Sequence, residues 1–186
     1  MSVDQTDEEI IILYKNGNKE VFKEIVTRYT SPLYNFTAHL IGENNASDIV
    51  QDVFIKAWKH INSFDSTRSS FKTWIFTITK NTITDFFRKK KTLNFSDLKN
   101  DDDVISFSEN IPDESPLPDE VLQKFEDMEL LNNVLKTLSP EYQTILVLHY
   151  QEEMTFDEIG KVLNKPLNTV KSYHRRALLN LSKKAL

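Results

Sequence analysis

Between Glu158 and the C-terminus the chain carries Lys161, Lys165, Lys171, Arg175, Arg176, Lys183 and Lys184, with no Asp or Glu among them. Clustered cations neutralise phosphates, and Arg and Lys also reach guanine edges, while Asn suits adenine. The residues around these cations are ordered. Ile159, Gly160 and Leu163 give an apolar, small, apolar sequence before a turn at Asn164, and Val170 is apolar early in the segment that follows. Two short helices joined by such a turn form a helix-turn-helix. Asn tolerates the left-handed backbone that the turn can require. In the second helix Val170, His174, Ala177, Leu178 and Leu181 form an inner stripe, and Asn168, Lys171, Ser172, Arg175 and Arg176 point elsewhere. A helix fits the major groove and reads bases from its N-terminal residues. The chemistry expected here is binding of duplex DNA, set against that of an ordinary basic helix on a solvated bundle.

Residues suited to catalysis or metal binding are scattered. The four His (39, 60, 149 and 174) have no paired ligand spacing, and there is no Cys. A zinc-thiolate site and a disulfide framework are thereby excluded. No glycine-rich phosphate loop or nucleophile motif is present. No catalytic residue, metal or cofactor is expected. Asp101, Asp102 and Asp103 form an acidic run without the alternation and the Gly that a calcium loop needs, and read as a solvated tether.

The elements that must position the basic segment follow from composition and period. The 186 residues are 39% hydrophobic and 27% charged, with three Gly, which points to a folded all-α chain. The net charge of −5 is unevenly spread. Residues 1–91 carry 13 bases against 11 acids, residues 92–125 carry 2 against 9, and residues 126–186 carry 8 against 8. The acidic excess thus lies in one middle segment, which also holds three Pro between 94 and 120 and reads as a flexible linker. Two small helical domains follow, 8–91 and 122–186, joined by an acidic linker over 92–121. The N-terminus lacks the plan of a secretory signal, and no apolar run approaches a membrane span, so a cytoplasmic protein without membrane insertion is expected.

Within the first domain, Val21, Phe22, Ile25, Val26, Tyr29 and Leu33 repeat at helical spacing, and Gly42 ends that segment. Next, Ile49, Val53, Phe54 and Ala57 share one face with Trp58 beside them, while Asp48, Gln51, Asp52 and Lys56 lie away from it. A polar break at 62–70 precedes a helix with Phe71, Trp74, Ile75, Ile78 and Thr82 in register, ending in Arg88, Lys89, Lys90 and Lys91. Cations at that end complement the helix dipole, or contact phosphates. In the second domain a helix over 125–139 closes at Pro140, and Thr155 with Glu158 has the spacing of a capping box.

Residues 48–58, "DIVQDVFIKAW", and 71–88, "FKTWIFTITKNTITDFFR", resemble region 2 of bacterial RNA polymerase sigma factors. Residues 138–178, from "LSPEYQ" to "YHRRAL", resemble region 4. With only these two regions, the plan is similar to that of the extracytoplasmic-function (ECF) subfamily of the sigma-70 family. The resemblance implies a promoter-specificity subunit whose partners are core RNA polymerase and promoter DNA. It also implies restraint by an anti-sigma factor, often membrane-anchored in that subfamily. Asp48, Gln51 and Asp52 match the face that docks on the polymerase clamp coiled coil. The segment Asn62–Ser70, with Asn62, Ser63 and Phe64, matches the loop that captures a flipped base of the −10 element, although a buried Phe64 fits equally. Asn81, Asp85 and Arg88 match polar positions facing the −10 DNA. Lys72, Lys80, Arg88, Lys89, Lys90 and Lys91 match phosphate contacts. Asn168, Thr169, Lys171, Ser172, Arg175 and Arg176 match the −35 reading set. Departures occur at Asn168, where Gly is usual, and at Gln143, Tyr173 and Leu178, where basic residues are common. They bear on which −35 sequence is read. The acidic linker is either a nucleic-acid mimic for a basic polymerase channel or a plain tether. The competing readings are a free-standing helix-turn-helix transcriptional regulator and, with little support, a helical enzyme.

Overall fold

A computed structural model describes residues 5–94, Leu135 and 137–184, with side chains over 5–90, Leu135 and 137–181. The expected linker beyond Asn94 and nearly all of the helix expected over 125–139 lie outside the described residues. So do the side chains of Lys91, Lys183 and Lys184. Among the described residues the chain is helical without strands. The helices are α1 (Asp7–Lys15), α2 (Phe22–Ile41), α3 (Glu43–His60), α4 (Phe71–Asn94), α5 (Pro140–Leu146), α6 (Phe156–Leu163) and α7 (Leu167–Lys184). None is long and apolar enough to cross a membrane.

The helix ends follow from local chemistry. Thr6 caps α1 through a reciprocal box: its hydroxyl accepts from the Glu9 amide at 3.3 Å, and the Glu9 carboxylate accepts from the Thr6 amide at 2.8 Å. Gly42 separates α2 from α3 with φ +85°, a conformation that L side chains rarely adopt. The first turn of α4 is tied down from two sides. The Ser70 hydroxyl accepts from the Thr73 amide at 3.2 Å, and Glu8 of α1 accepts from the Phe71 amide at 3.0 Å. Ser139 caps α5 ahead of Pro140, and α5 runs into a wider π-turn over Val147–Gln151.

α4 is the central helix. It packs on α2 and α3 on one side and on α6 of the second domain on the other, while α2 also meets α5. The apolar core is therefore shared. Ile25, Leu33, Phe36, Val53, Phe71, Ile75 and Phe76 belong to one buried cluster with Ile145, Leu148, Ile159 and Val162. Burying such side chains is worth about 1.5–3 kcal/mol each. A second, smaller core joins Leu138, Tyr142 and Leu146 of the α5 region to Ala177, Leu178 and Leu181 of α7.

Candidate nucleic-acid interface

Four surfaces carry the residues singled out in the sequence. The first is the outward face of α3. Asp48, Gln51 and Asp52 are all exposed, and no described residue is ion-paired with either acid. The same face continues one turn on with two large apolar side chains in water, Ile55 at 49% exposure and Trp58 at 55%. Residues 48, 51, 55 and 58 are three or four apart and line one ridge. The sequence pattern puts Trp58 beside the apolar face. It lies on the outer one, because Ala46, Ile49, Val50, Val53 and Ala57 already fill the arc that faces the core. Ile55 joins the ridge without being among the residues that the sequence pattern marks. Its signal is an Ile in the polar register set by Asp48 and Gln51.

The second surface is the loop before α4. Asn62 and Ser63 are exposed. Phe64 is 5% exposed, with its ring centroid 5.4 Å from both Phe71 and Trp74, and its carbonyl accepts from the Lys15 ammonium at 2.7 Å. It anchors the loop from beneath. Asp65 stiffens the tip by accepting from the Thr67 amide at 3.0 Å and the Thr67 hydroxyl at 2.7 Å. Those bonds hold its carboxyl below the usual carboxylate range. Between this loop and α4 lies a cavity of about 340 Å³, lined by Ser63, Asp65, Arg68, Thr73 and Trp74 among others, with Lys161 of α6 on its rim. It offers an aromatic ring, hydroxyls and charges of both signs, the equipment for stacking and edge contacts with an unstacked base.

The third surface is α4. Asn81, Arg88 and Lys89 are exposed, and Lys80 and Asp85 are half-buried. Asp85 pairs with Arg88 at 2.7 Å and faces Lys56 at 3.8 Å, so its charge is countered from both sides. Lys72 is engaged. Its ammonium lies 3.3 Å from the Glu152 carboxylate and also donates to the Glu152 carbonyl, across the two domains.

The fourth surface is the helix pair α6–α7. Thr155 and Glu158 form the capping box, with the Glu158 amide donating to the Thr155 hydroxyl at 3.3 Å and the Thr155 amide to the Glu158 carboxylate at 2.9 Å. Burial would raise the Glu158 carboxyl. The bonds from Thr155 and Ser70, with Lys161 nearby, outweigh it and hold that group below its ordinary range. Asn164 ends α6 in the left-handed region at φ 53°, ψ 48°. A Cβ on Gly160 would come within 2.9 Å of the Lys165 carbonyl, so the turn crosses α6 at a distance only glycine allows. On α7, Val170, Ala177, Leu178 and Leu181 are buried, and His174 sits half-buried, 3.0 Å from the Tyr150 hydroxyl. Asn168, Lys171 and Ser172 are exposed, and Thr169, Arg175 and Arg176 are half-buried. The Ser172 hydroxyl donates to the Asn168 carbonyl at 2.9 Å.

Two of the departures have structural employment. Tyr173 packs edge-on against Tyr142, with the Lys165 ammonium 5.2 Å from its ring centroid. Gln143 is buried, and its amide donates to the Leu138 carbonyl at 2.8 Å. Among the described residues no group of His, Asp or Glu is arranged to hold a metal ion.

Residues 25–92 match the family model for Sigma-70 region 2, and residues 128–181 match that for Sigma-70, region 4. The chain is 32% identical over 161 residues to the ECF RNA polymerase sigma factor SigW of Bacillus subtilis, covering 85% of each chain. It is 24% identical over 182 residues to the ECF RNA polymerase sigma-E factor of Escherichia coli K12, covering 95% of this chain and 93% of that one. Among solved structures, CnrH in complex with the cytosolic domain of CnrY superposes with a TM-score of 0.67 at 21% identity over 96% of each chain. RpoE of Bartonella quintana, solved with the anti-sigma factor NepR, gives 0.65 at 23% identity over 87% of this chain and 94% of that one. The two domains in order, the helix-turn-helix at the end of the second and the identity to SigW over most of the length place this chain in the ECF family of RNA polymerase sigma factors, which bind core polymerase and direct promoter-specific initiation.

Proposed function

We propose that the outer face of α3 docks on core polymerase, that the loop 62–70 with α4 reads the −10 element, and that α7 reads the −35 element. On this reading residues 8–91 form the docking and −10 domain, 92–121 the linker, and 122–186 the −35 domain. The observation that carries it is the ridge on α3. Asp48, Gln51 and Asp52 are exposed, neither acid has an ion-pair partner among the described residues, and Ile55 and Trp58 extend the ridge with apolar area that water disfavours. A polar cluster flanked by an exposed Trp has the composition of a binding surface.

The cavity beneath Ser63 and Asp65 supports capture of an unstacked −10 base, with Trp74 as the ring within reach and Phe64 as its support. Asn81, Arg88 and Lys89 present amide and cationic groups along the adjoining helix, and Asp85 positions Arg88. On α7, Asn168, Thr169, Lys171, Arg175 and Arg176 contact the −35 duplex. Ser172 holds its hydroxyl on its own helix and contributes less to base reading.

The protein acts by binding rather than by catalysis, in the cytoplasm, with polymerase and promoter DNA as partners. Structural neighbours were solved with the cytosolic domain of CnrY and with the anti-sigma factor NepR, and this chain takes an anti-sigma partner as well. The test is co-purification with core polymerase followed by run-off transcription on fragmented genomic DNA. Stable association and discrete start sites are expected. Binding to duplex operators as a symmetric dimer, without polymerase, would contradict the reading.

A further inference from the structure

The loop between Phe64 and Phe71 is closed at its base by those two rings, which meet edge-on at 5.4 Å. The backbone at each end of the closure is held by one helix, α1. The Lys15 ammonium donates to the Phe64 carbonyl at 2.7 Å and lies 5.9 Å from the Phe64 ring centroid. The Glu8 carboxylate accepts from the Phe71 amide at 3.0 Å. That amide opens α4, where a helix leaves its amides without partners of its own, and a carboxylate there also meets the positive end of the dipole. Residues 8 and 15 are two turns apart, so both side chains leave α1 on the same side. Each bond joins a charged side chain to loop backbone, the stronger kind of hydrogen bond. α1 is itself fixed. Ile10, Ile11 and Tyr14 are buried, and Asp7 accepts from both Arg28 and the Tyr29 hydroxyl of α2. Arg28 also donates to the Gln5 carbonyl at 3.0 Å, and Tyr29 packs edge-on against Phe71 at 5.5 Å. Between the two held ends, residues 65–68 are exposed.

We propose that Glu8 and Lys15 are positioning residues for −10 reading: they bracket the two ends of the loop, hold its exposed tip over the cavity beside Trp74, and so set how sharply a base is discriminated there. Neither side chain touches DNA on this reading. α1 carries the fixed frame of α2 to the loop, and the two charged side chains are the points of transfer. A loop released at either end keeps its residues but samples more positions, which lowers the difference between a fitting and an ill-fitting base more than it lowers binding of polymerase. The inference rests on the assignment of the loop 62–70 to the −10 element, and the experiment separates the two.

The measurement is transcription by holoenzyme, assembled from core and the full-length protein, on a promoter library randomised at the −10 element, with core competition and thermal unfolding alongside. Glu8→Ala and Lys15→Met should each lower the ratio of preferred to other bases at the loop-read position about tenfold, with core affinity unchanged. Glu8→Gln keeps an acceptor oxygen and Lys15→Arg keeps a donor, and both should retain the parental ratio. Freeing either end releases the loop, so the double variant should lose little more than one single variant. Lys15 is exposed, so Lys15→Met decides the matter if Glu8→Ala fails to fold. Glu9→Ala is the control, since that carboxylate bonds the Thr6 amide in the capping box of α1. An equal loss of discrimination from Glu9→Ala means that the stability of α1 alone matters, and overturns the bracket. Weaker output from every promoter alike, with preference intact, makes Lys15 a phosphate contact and also overturns it. If Glu8→Ala and Lys15→Met keep the parental preference while an unrelated loop at 62–70 changes it, the bracket fails and the −10 assignment stands. If the unrelated loop leaves the preference unchanged, the assignment fails too.

Discussion

At the scale of single residues, Gly160 and Glu158 show how the helix-turn-helix is specified. Gly160→Ala pushes a methyl to 2.9 Å from the Lys165 carbonyl, a backbone atom that cannot rotate away. A loss of about 1–3 kcal/mol is expected, read by thermal or urea unfolding, because overpacking must be relieved by moving the turn. Glu158 gives a pH dependence. Its folded carboxyl sits below the unfolded value, so its contribution is fully present above the unfolded pKa and disappears as pH falls through the folded one. Unfolding midpoints measured from pH 7 downward should therefore fall for the parent, and Glu158→Gln should flatten part of that acid limb. On α7, Lys171→Ala or Arg175→Ala should cost about 1–3 kcal/mol of promoter affinity if the side chain reaches a base edge, with relaxed preference at one −35 position. Transcription from promoters varied only at the −35 element checks this, and equal, sequence-blind losses would mean that α7 supplies charge alone.

The elements differ in how plainly the sequence declares them. The capping box at Thr155–Glu158, the left-handed Asn164 and the stripe from Val170 to Leu181 depend on neighbours within a few turns, and all are present as read. The break at Gly42 and the basic end of α4 are local too. The orientation of Trp58 was not legible, since a Trp after Ala57 borders both faces of α3, and which it joins depends on how far α2 and α4 wrap around it. The partner of Lys72 lies 80 residues away in sequence, and no local pattern records it. Phe64 could be read either way until the ring positions of Phe71 and Trp74 placed it inside. The α3 ridge carries its own prediction. Trp58→Ala should weaken association with core by about 2 kcal/mol while leaving helix content unchanged, because the ring is more than half exposed and supports no core. Competition for core against the parent protein, with circular dichroism alongside, is the check. A variant that unfolds would show Trp58 to be structural.

For the whole molecule, the acidic net charge conceals a division of labour. The acids concentrate between the two domains, and the cations lie on α4 and on the segment after Glu158. A −5 chain can therefore bind DNA, because local potential rather than total charge meets the phosphates. The shared core makes the two domains one packed body, with the α3 ridge and the outer residues of α7 facing solvent while the start of α4 is covered. The account stands or falls on whether the α3 ridge is the polymerase contact. The most direct measurement is run-off transcription and core competition by Gln51→Arg combined with Asp52→Arg, two exposed positions on the outer face of α3. The account predicts normal helix content, no association with core and no promoter-specific transcript. A double variant that competes for core at the parent concentration and initiates at the same promoters would contradict it.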